Sequence, residues 1–452
     1  MNCPPEVSKY LNKFAETKKW SLVARSRDNI DQVVVIPALA ERDNIFKTLA
    51  NLARNSPSEL KKTLVICVIN NRAKGFSSKE DVNNNQDTLT CLSYLLSKNL
   101  FSDDISKNVI SADLNQIRQS GMRLAYVDAS SPGLELPENG GVGLARKIGM
   151  DLSLTAFYYN SKREKLIISL DADTLVEDNY LQALREYFDR ERAACAVISY
   201  RHQIPEDELN QSAICSYELF LRYYVMGLNY AGSPYAFHTI GSTMACTSKA
   251  YLAVGGMNKK EAAEDFYFLQ KLAKYDNMGQ VHSTTVYPSA RISHRVPFGT
   301  GKKMKEMLVE KESDIPFYNY NSFIILKKFL RLIGRSANEN LCGKDLLSRC
   351  CQIDLSLGDY LKSNVFDELW DKLKKNSPHG YGLLKHFHSW FDAFRTLKLI
   401  HYLRDHGYET MDMFTAYDGI LALRREDATE KTEEELFQQK ARLKLLERIR
   451  GI

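Results

Sequence analysis

Residues 165–173, Lys-Leu-Ile-Ile-Ser-Leu-Asp-Ala-Asp, end an apolar run on two carboxylates, Asp171 and Asp173, with only Ala172 between them. Carboxylates this close repel unless a cation sits between them. A hard divalent ion, Mn2+ or Mg2+, suits such a pair. It takes oxygen ligands and keeps positions for water and substrate phosphates. An ion held there would offset the charge gathering on a departing diphosphate. The same residues also read as a plain turn at a strand end, with Asp173 capping a helix that begins near Glu177.

Three further groups carry chemistry. Gly140-Gly141-Val142-Gly143 is followed by Arg146 and Lys147, a pattern in which backbone N–H groups and two cations could meet a phosphate. Gly255-Gly256 precedes Glu264-Asp265, paired acids that either open a helix, where its dipole favours them, or supply a general base. His294, in Arg291-Ile-Ser-His294-Arg295, is either structural or a third metal ligand.

These groups need elements to position them. Val33 to Ile36, Leu64 to Ile69, Leu124 to Val127, Leu166 to Leu170 and Ala196 to Tyr200 are short apolar runs that read as strands buried on both faces. Helical stretches lie between several of them. In one, capped by Asp43, Ile45, Leu49 and Leu52 recur at helical spacing. Strand and helix in alternation imply an α/β fold, a mostly parallel sheet with helices on both faces. Ligands of such sheets bind beyond the carboxyl ends of the strands. Three of those ends carry unusual residues: Pro37-Ala38-Leu39-Ala40-Glu41, Asn70-Asn71-Arg72 and Asp171-Ala172-Asp173.

The expected organisation is an N-terminal helical extension over 1–30, a sheet domain over 31–305 and a helical domain over 306–452. A surface insertion occupies about 72–122, with a polar loop (SSKEDVNNNQD) and then a helix around Leu89 to Leu96. Val281 to Tyr287 alternates as a strand. Beyond residue 305 strand signals vanish. Phe387, Trp390, Phe391, Phe394 and Leu397 form a helical core face, and Thr432 with Glu435 suggests a capping box for a last charged helix carrying Leu436, Leu443 and Leu446.

In this order the motifs resemble the family 2 glycosyltransferases of GT-A fold, over roughly residues 30 to 300. The pieces that carry the resemblance are Ile36-Pro37-Ala38-Leu39-Ala40-Glu41, the Asp171-Ala172-Asp173 triplet, Gly241-Ser242, Gly255-Gly256 and Glu264-Asp265. The resemblance implies a nucleotide-sugar donor, UDP- or GDP-linked, contacted by Pro37, Ala38, Glu41, Asn70, Asn71, Arg146, Asp171 and Ala172. It implies Mn2+ or Mg2+ on Asp173, with Asp171 and His294. Asp265 would be the base in an inverting displacement, and Glu264 would shape the acceptor site. Where the family carries an acidic pair at the second strand end, this chain has Asn70-Asn71, which leaves the nucleotide open. A retaining enzyme of the phosphoglycerate-glycosylating type and an inactive scaffold are the alternatives.

Composition is the usual mixture of a globular protein. The chain has 452 residues, formal charge +5 and 26% charged residues. That balance gives no reason to expect nucleic acid. No apolar run reaches the ~18–20 residues of a membrane span. Nine scattered cysteines without a CxxC pair fit reduced thiols in a cytoplasm. The acceptor is a saccharide, a small molecule or a lipid carrier. Lys327, Lys328, Arg331 and Arg335 would form a peripheral membrane surface if the acceptor is lipid-linked. The plainer reading of these four is a solvated helix face. His386, His388 and His401 read as packing residues, and the helical domain as a cover over the acceptor or a homodimer contact.

Overall fold

The computed structural model describes residues 3–73, 75–97, 111–291, 300–309, 315–377, 380–426 and 443–444. His294, Thr432, Glu435, Leu436 and Leu446 lie outside the described residues. The chain divides into two compact units, Met1–Gln203 with Thr239–Lys302, and Ile204–His238 with Lys303–Ile452. Residues 204–238 thus group with the helical part, and the N-terminal residues with the sheet.

The first unit is an α/β layer structure around one sheet. Its strands are β1 (Val23–Ala24), β2 (Gln32–Ala38), β3 (Thr63–Asn70), β4 (Arg123–Ala129), β5 (Leu166–Ser169), β6 (Leu175–Val176), β7 (Cys195–Tyr200), β8 (Met244–Thr247) and β9 (Gly279–Tyr287). They lie in the order β1-β4-β3-β2-β5-β8-β7-β9-β6. The block β4-β3-β2-β5 is parallel, and β8 runs antiparallel to both β5 and β7. Every residue of β2 and β3 is buried, as continuous apolar runs covered on both faces require.

From β2 the chain steps outward through β3 to β4 and then returns to the other side of β2 as β5. This reversal puts a crevice between the carboxyl ends of β2 and β5, beside the Pro37-Ala38 and Asp171-Ala172-Asp173 segments. Helix Arg42–Leu52 follows β2 and buries Ile45, Leu49 and Leu52 as expected, but Glu41, not Asp43, holds the capping position, without a side-chain bond. Helix Val142–Ser153 precedes β5. A methyl group at Gly149 would collide with Val35 and Val68, so glycine there lets the helix lie directly on β2 and β3. The helix is also pinned by its buried Asp151, which accepts from Tyr10 Oη at 2.8 Å, Tyr251 Oη at 2.7 Å and Lys147 Nζ at 2.9 Å.

The polar run at residues 77–87 is not a loop. Ser78 caps helix Lys79–Leu96 by accepting from Asp81 N at 3.0 Å, and the asparagines lie within the helix. It belongs to the crossover that parallel β3 and β4 require. Asp173 caps no helix either. Thr174 N bonds Asp171 O at 3.2 Å, and the turn runs into β6.

The second unit is helical, built on helices Glu208–Ala231, Tyr320–Ser336, Gly343–Ile353, Leu355–Ser363, Phe366–Asn376, Gly380–Trp390, Ala393–Asp405 and Met413–Glu426. Tyr223, Phe323, Phe329, Trp370, Phe387 and Phe391 fill its core. The helical face expected from Phe387 to Leu397 breaks at Asp392, which caps the next helix by accepting from Arg395 N at 3.2 Å, and Phe394 is left exposed. Lys327 is buried with its ammonium 3.7 Å from the Tyr230 ring centroid, while Lys328, Arg331 and Arg335 are exposed. Among the described residues no helix is long and apolar enough to cross a membrane. No group of three or more His, Cys, Asp or Glu residues could hold a metal there. His401 meets the Tyr318 hydroxyl at 2.8 Å.

Candidate active site

The hub of the crevice is Arg146, on the second turn of helix Val142–Ser153. Its side chain is buried, yet it reaches three elements. Nε donates to Ser169 Oγ at 3.1 Å at the end of β5, and the two terminal nitrogens pair with Asp171 and Glu264. Burial opposes its charge, but Asp171 and Glu264 outweigh burial and hold its pKa above the ordinary value. Gly241 leads into β8 with no side chain because the guanidinium lies where one would go.

Glu264 and Asp265 start helix Glu264–Tyr275, in the turn where a helix favours negative charge. Ala263 before them is left-handed, with φ +57°. Asn258 donates to Glu264 O at 2.8 Å and secures the turn. The glycines of 141–143 face this segment. A side chain at Gly141 would meet the Glu261 backbone, and one at Gly143 the Lys260 carbonyl and Glu264. Their need for glycine is therefore met by packing of two helix starts, without a phosphate.

Burial pushes the Glu264 carboxyl up, against the opposing charge of Arg146. Asp265 is pushed up to about 7, first by burial and then by the Glu264 charge, with Arg146 opposing. A carboxylate of that pKa is poised for proton transfer near neutral pH.

A second arginine ties the other two acids. Arg291 Nε donates to Asp173 Oδ2 at 2.7 Å, and its terminal nitrogen pairs with Glu41. Glu41 also accepts from Asn44 Nδ2 at 2.8 Å. Burial raises the Asp173 pKa and Arg291 lowers it, with burial prevailing. Ala172 is buried and its carbonyl accepts from the Thr48 hydroxyl at 2.9 Å.

The other expected nucleotide contacts lie at the ends of β2 and β3. Pro37 and Ala38 are buried within β2. Asn70 and Asn71 are buried. Asn85 Nδ2 donates to Asn70 O at 3.0 Å and to Asn71 Oδ1 at 3.2 Å, while its Oδ1 accepts from Ala40 N at 2.8 Å. Asn71 Oδ1 also accepts from the Ser130 hydroxyl. One asparagine of the crossover helix thus joins the ends of β2 and β3 and supports left-handed Ala40, φ +51°.

The structure therefore brings together Arg146, Asp171, Glu264 and Asp265, and joins Asp173 to Glu41 through Arg291. Sequence reading did not single out Arg291, Ser169 or Asn85. Arg291 carried a signal, since it stands in the same short motif as His294. Two guanidiniums face five carboxylates, a net of −3 when all are ionised.

No family model matches the sequence, and no curated protein does. Solved structures similar to the fold include Staphylococcus aureus TarS 1–349 with UDP-GlcNAc, at 12% identity and TM-score 0.35, covering 89% of this chain and 93% of that one. Another is the Pyrobaculum calidifontis mannosyltransferase PcManGT with GDP-Man and Mn2+, at 10% identity and TM-score 0.32, covering 97% and 90%.

Proposed function

We propose that this chain is a metal-assisted, nucleotide-sugar-dependent glycosyltransferase of GT-A type and family 2 character, acting with inversion on an acceptor hydroxyl. The observation that supports it most is the acid and arginine cluster at the reversal of the sheet, with Asp265 near neutrality beside it.

The donor set fits a hard cation. Asp173 and Asp171 offer two carboxylates, and water and diphosphate oxygens would complete such a site. A site with more carboxylates than guanidiniums would also repel a diphosphate unless a cation came with it. Asp173 would hold the ion, with Asp171 beside it. When bound, the ion supplies charge neutralisation to the leaving diphosphate. The nucleotide lies over the backbone beyond Ala38 and the Asn85-braced loops. Arg146 fixes Asp171 and Glu264 in place. Asp265 takes the proton from the acceptor hydroxyl as the oxygen attacks the anomeric carbon.

UDP-GlcNAc or GDP-mannose at about 100 times its Kd, with Mn2+, should stabilise the sheet unit by roughly 2.7 kcal/mol, and EDTA should abolish the gain. Differential scanning calorimetry reads this directly. If neither nucleotide sugar shifts the transition with Mn2+ present, the reading fails for both donor classes.

A second expectation concerns Arg291, which occupies Asp173 Oδ2. Replacing it with Ala frees that oxygen. Mn2+ affinity without nucleotide, measured by electron paramagnetic resonance, should rise about tenfold, the effect of removing one adjacent positive charge. Unchanged or weaker Mn2+ binding would remove Arg291 as a competitor for the carboxylate.

A further inference from the structure

Arg201 lies just past the carboxyl end of β7, where its N–H donates to Val286 O at 2.9 Å. Its side chain is only half-buried, but Nε is shut off from solvent and has no hydrogen-bond partner among the described residues. No carboxylate pairs with it among the described residues. Arg146 and Arg291, by contrast, each carry two acids. A desolvated N–H without a partner is costly unless a ligand completes it.

The sheet register says where that anion would sit. Ile167, Cys246 and Cys195 are partners across β5, β8 and β7. Strand alternation then puts Ser169 on the face of Ile167, and Val197, Ser199 and Arg201 on the face of Cys195, the same side of the sheet. Ser169 holds Arg146 there. Ala196, Ile198 and Tyr200 point the other way, into the main core. Arg201 is thus on the Arg146 side, displaced from β5 by two strand spacings, about 10 Å. The displacement is away from β2 and β3, whose ends face the nucleotide. A group bound at Arg201 lies beyond the reacting sugar.

We propose that Arg201 is an anion subsite for the acceptor, and that the acceptor carries a phosphate or carboxylate group. The inference rests on the glycosyltransferase reading for the word acceptor, but not for the anion site itself. An arginine with no acid partner among the described residues is also what an anionic acceptor needs beside a cluster that holds more carboxylates than guanidiniums. A guanidinium matches the two oxygens of either group in one plane.

The test uses the full chain and inorganic phosphate as the probe, titrated calorimetrically with and without saturating UDP or GDP and Mn2+. Wild-type protein should bind phosphate with nucleotide already in place. Arg201→Gln should weaken phosphate binding by at least about tenfold and leave nucleotide affinity within about twofold. Arg201→Lys should recover part of the loss, and circular dichroism should show both variants folded.

Equal phosphate affinity in wild type and Arg201→Gln overturns the proposal. Parallel loss of nucleotide affinity also overturns it, by assigning Arg201 to the donor diphosphate. If no nucleotide binds at all, the glycosyltransferase reading fails. The phosphate titration without nucleotide still decides the subsite.

Discussion

Replacing Asp265 with Asn is expected to lower the rate of glycosyl transfer about 10³-fold, some 4 kcal/mol of transition-state stabilisation, while nucleotide affinity stays within about twofold. Asparagine keeps the shape and can still accept from Phe266 N, which Asp265 Oδ1 does at 2.7 Å. It cannot take up a proton. The loss should therefore appear in kcat, with the donor's binding constant unmoved.

The pH profile gives a sharper test. Burial and the Glu264 charge place Asp265 near 7, so kcat/KM should rise with pH through that region as the carboxylate loses its proton. Stability should move the other way. Unfolded, this aspartate titrates near 3.9; folded, near 7. Between those values the folded chain binds more protons than the unfolded one, so this group's contribution falls as pH rises through the window and is flat above it. Asp265→Asn removes both dependences together. A variant that keeps full transfer activity would assign the base elsewhere. It would favour the retaining alternative, which needs no base at this position.

The strands were legible because physics writes them locally. Val33 to Ile36 and Leu64 to Ile69 are apolar without a break, and only a strand covered on both faces needs that. Asp171 and Asp173 stood out for the converse reason, as charges at the end of a buried run. Asp265 was legible as an acid at a helix start, though its titration near neutrality depends on Glu264 and Arg146 as neighbours. What stayed hidden is what long sequence separations create. Arg291 meets Glu41 across 250 positions, and Arg146 meets Glu264 across 118. No periodicity marks such pairs. Asn85 hid differently, in a polar run that resembles a loop and in fact caps strand ends from inside a helix. Strand β8, only Met244–Thr247, is too short to alternate or to form a run. The helical face from Phe387 onward misled because Asp392, a single capping residue, restarts the helix and turns Phe394 outward.

Arg146→Met should cost the sheet unit about 3–5 kcal/mol, because it strands charges that share one buried counterion. Glu264 is 3% exposed and Asp171 sits at the crevice rim, so the first has little water to turn to. Methionine fills much of the space, and the cost is therefore chiefly electrostatic. That claim can be separated from lost packing in two ways. Below neutral pH the orphaned carboxyls can bind protons. Burial already raises Glu264 and Asp265, and losing the Arg146 charge raises them further, so the folded variant holds protons the unfolded chain does not, and its deficit should shrink as pH falls and grow as pH rises. Adding Glu264→Gln and Asp171→Asn should also return part of the stability. Neutral partners no longer need the guanidinium, and a cycle of these variants isolates the coupling. A deficit equal at pH 5 and pH 8, and unrelieved by the neutral partners, would make Arg146 a packing residue. The acids would then have to be held at the carboxyl end of β5 by some other group.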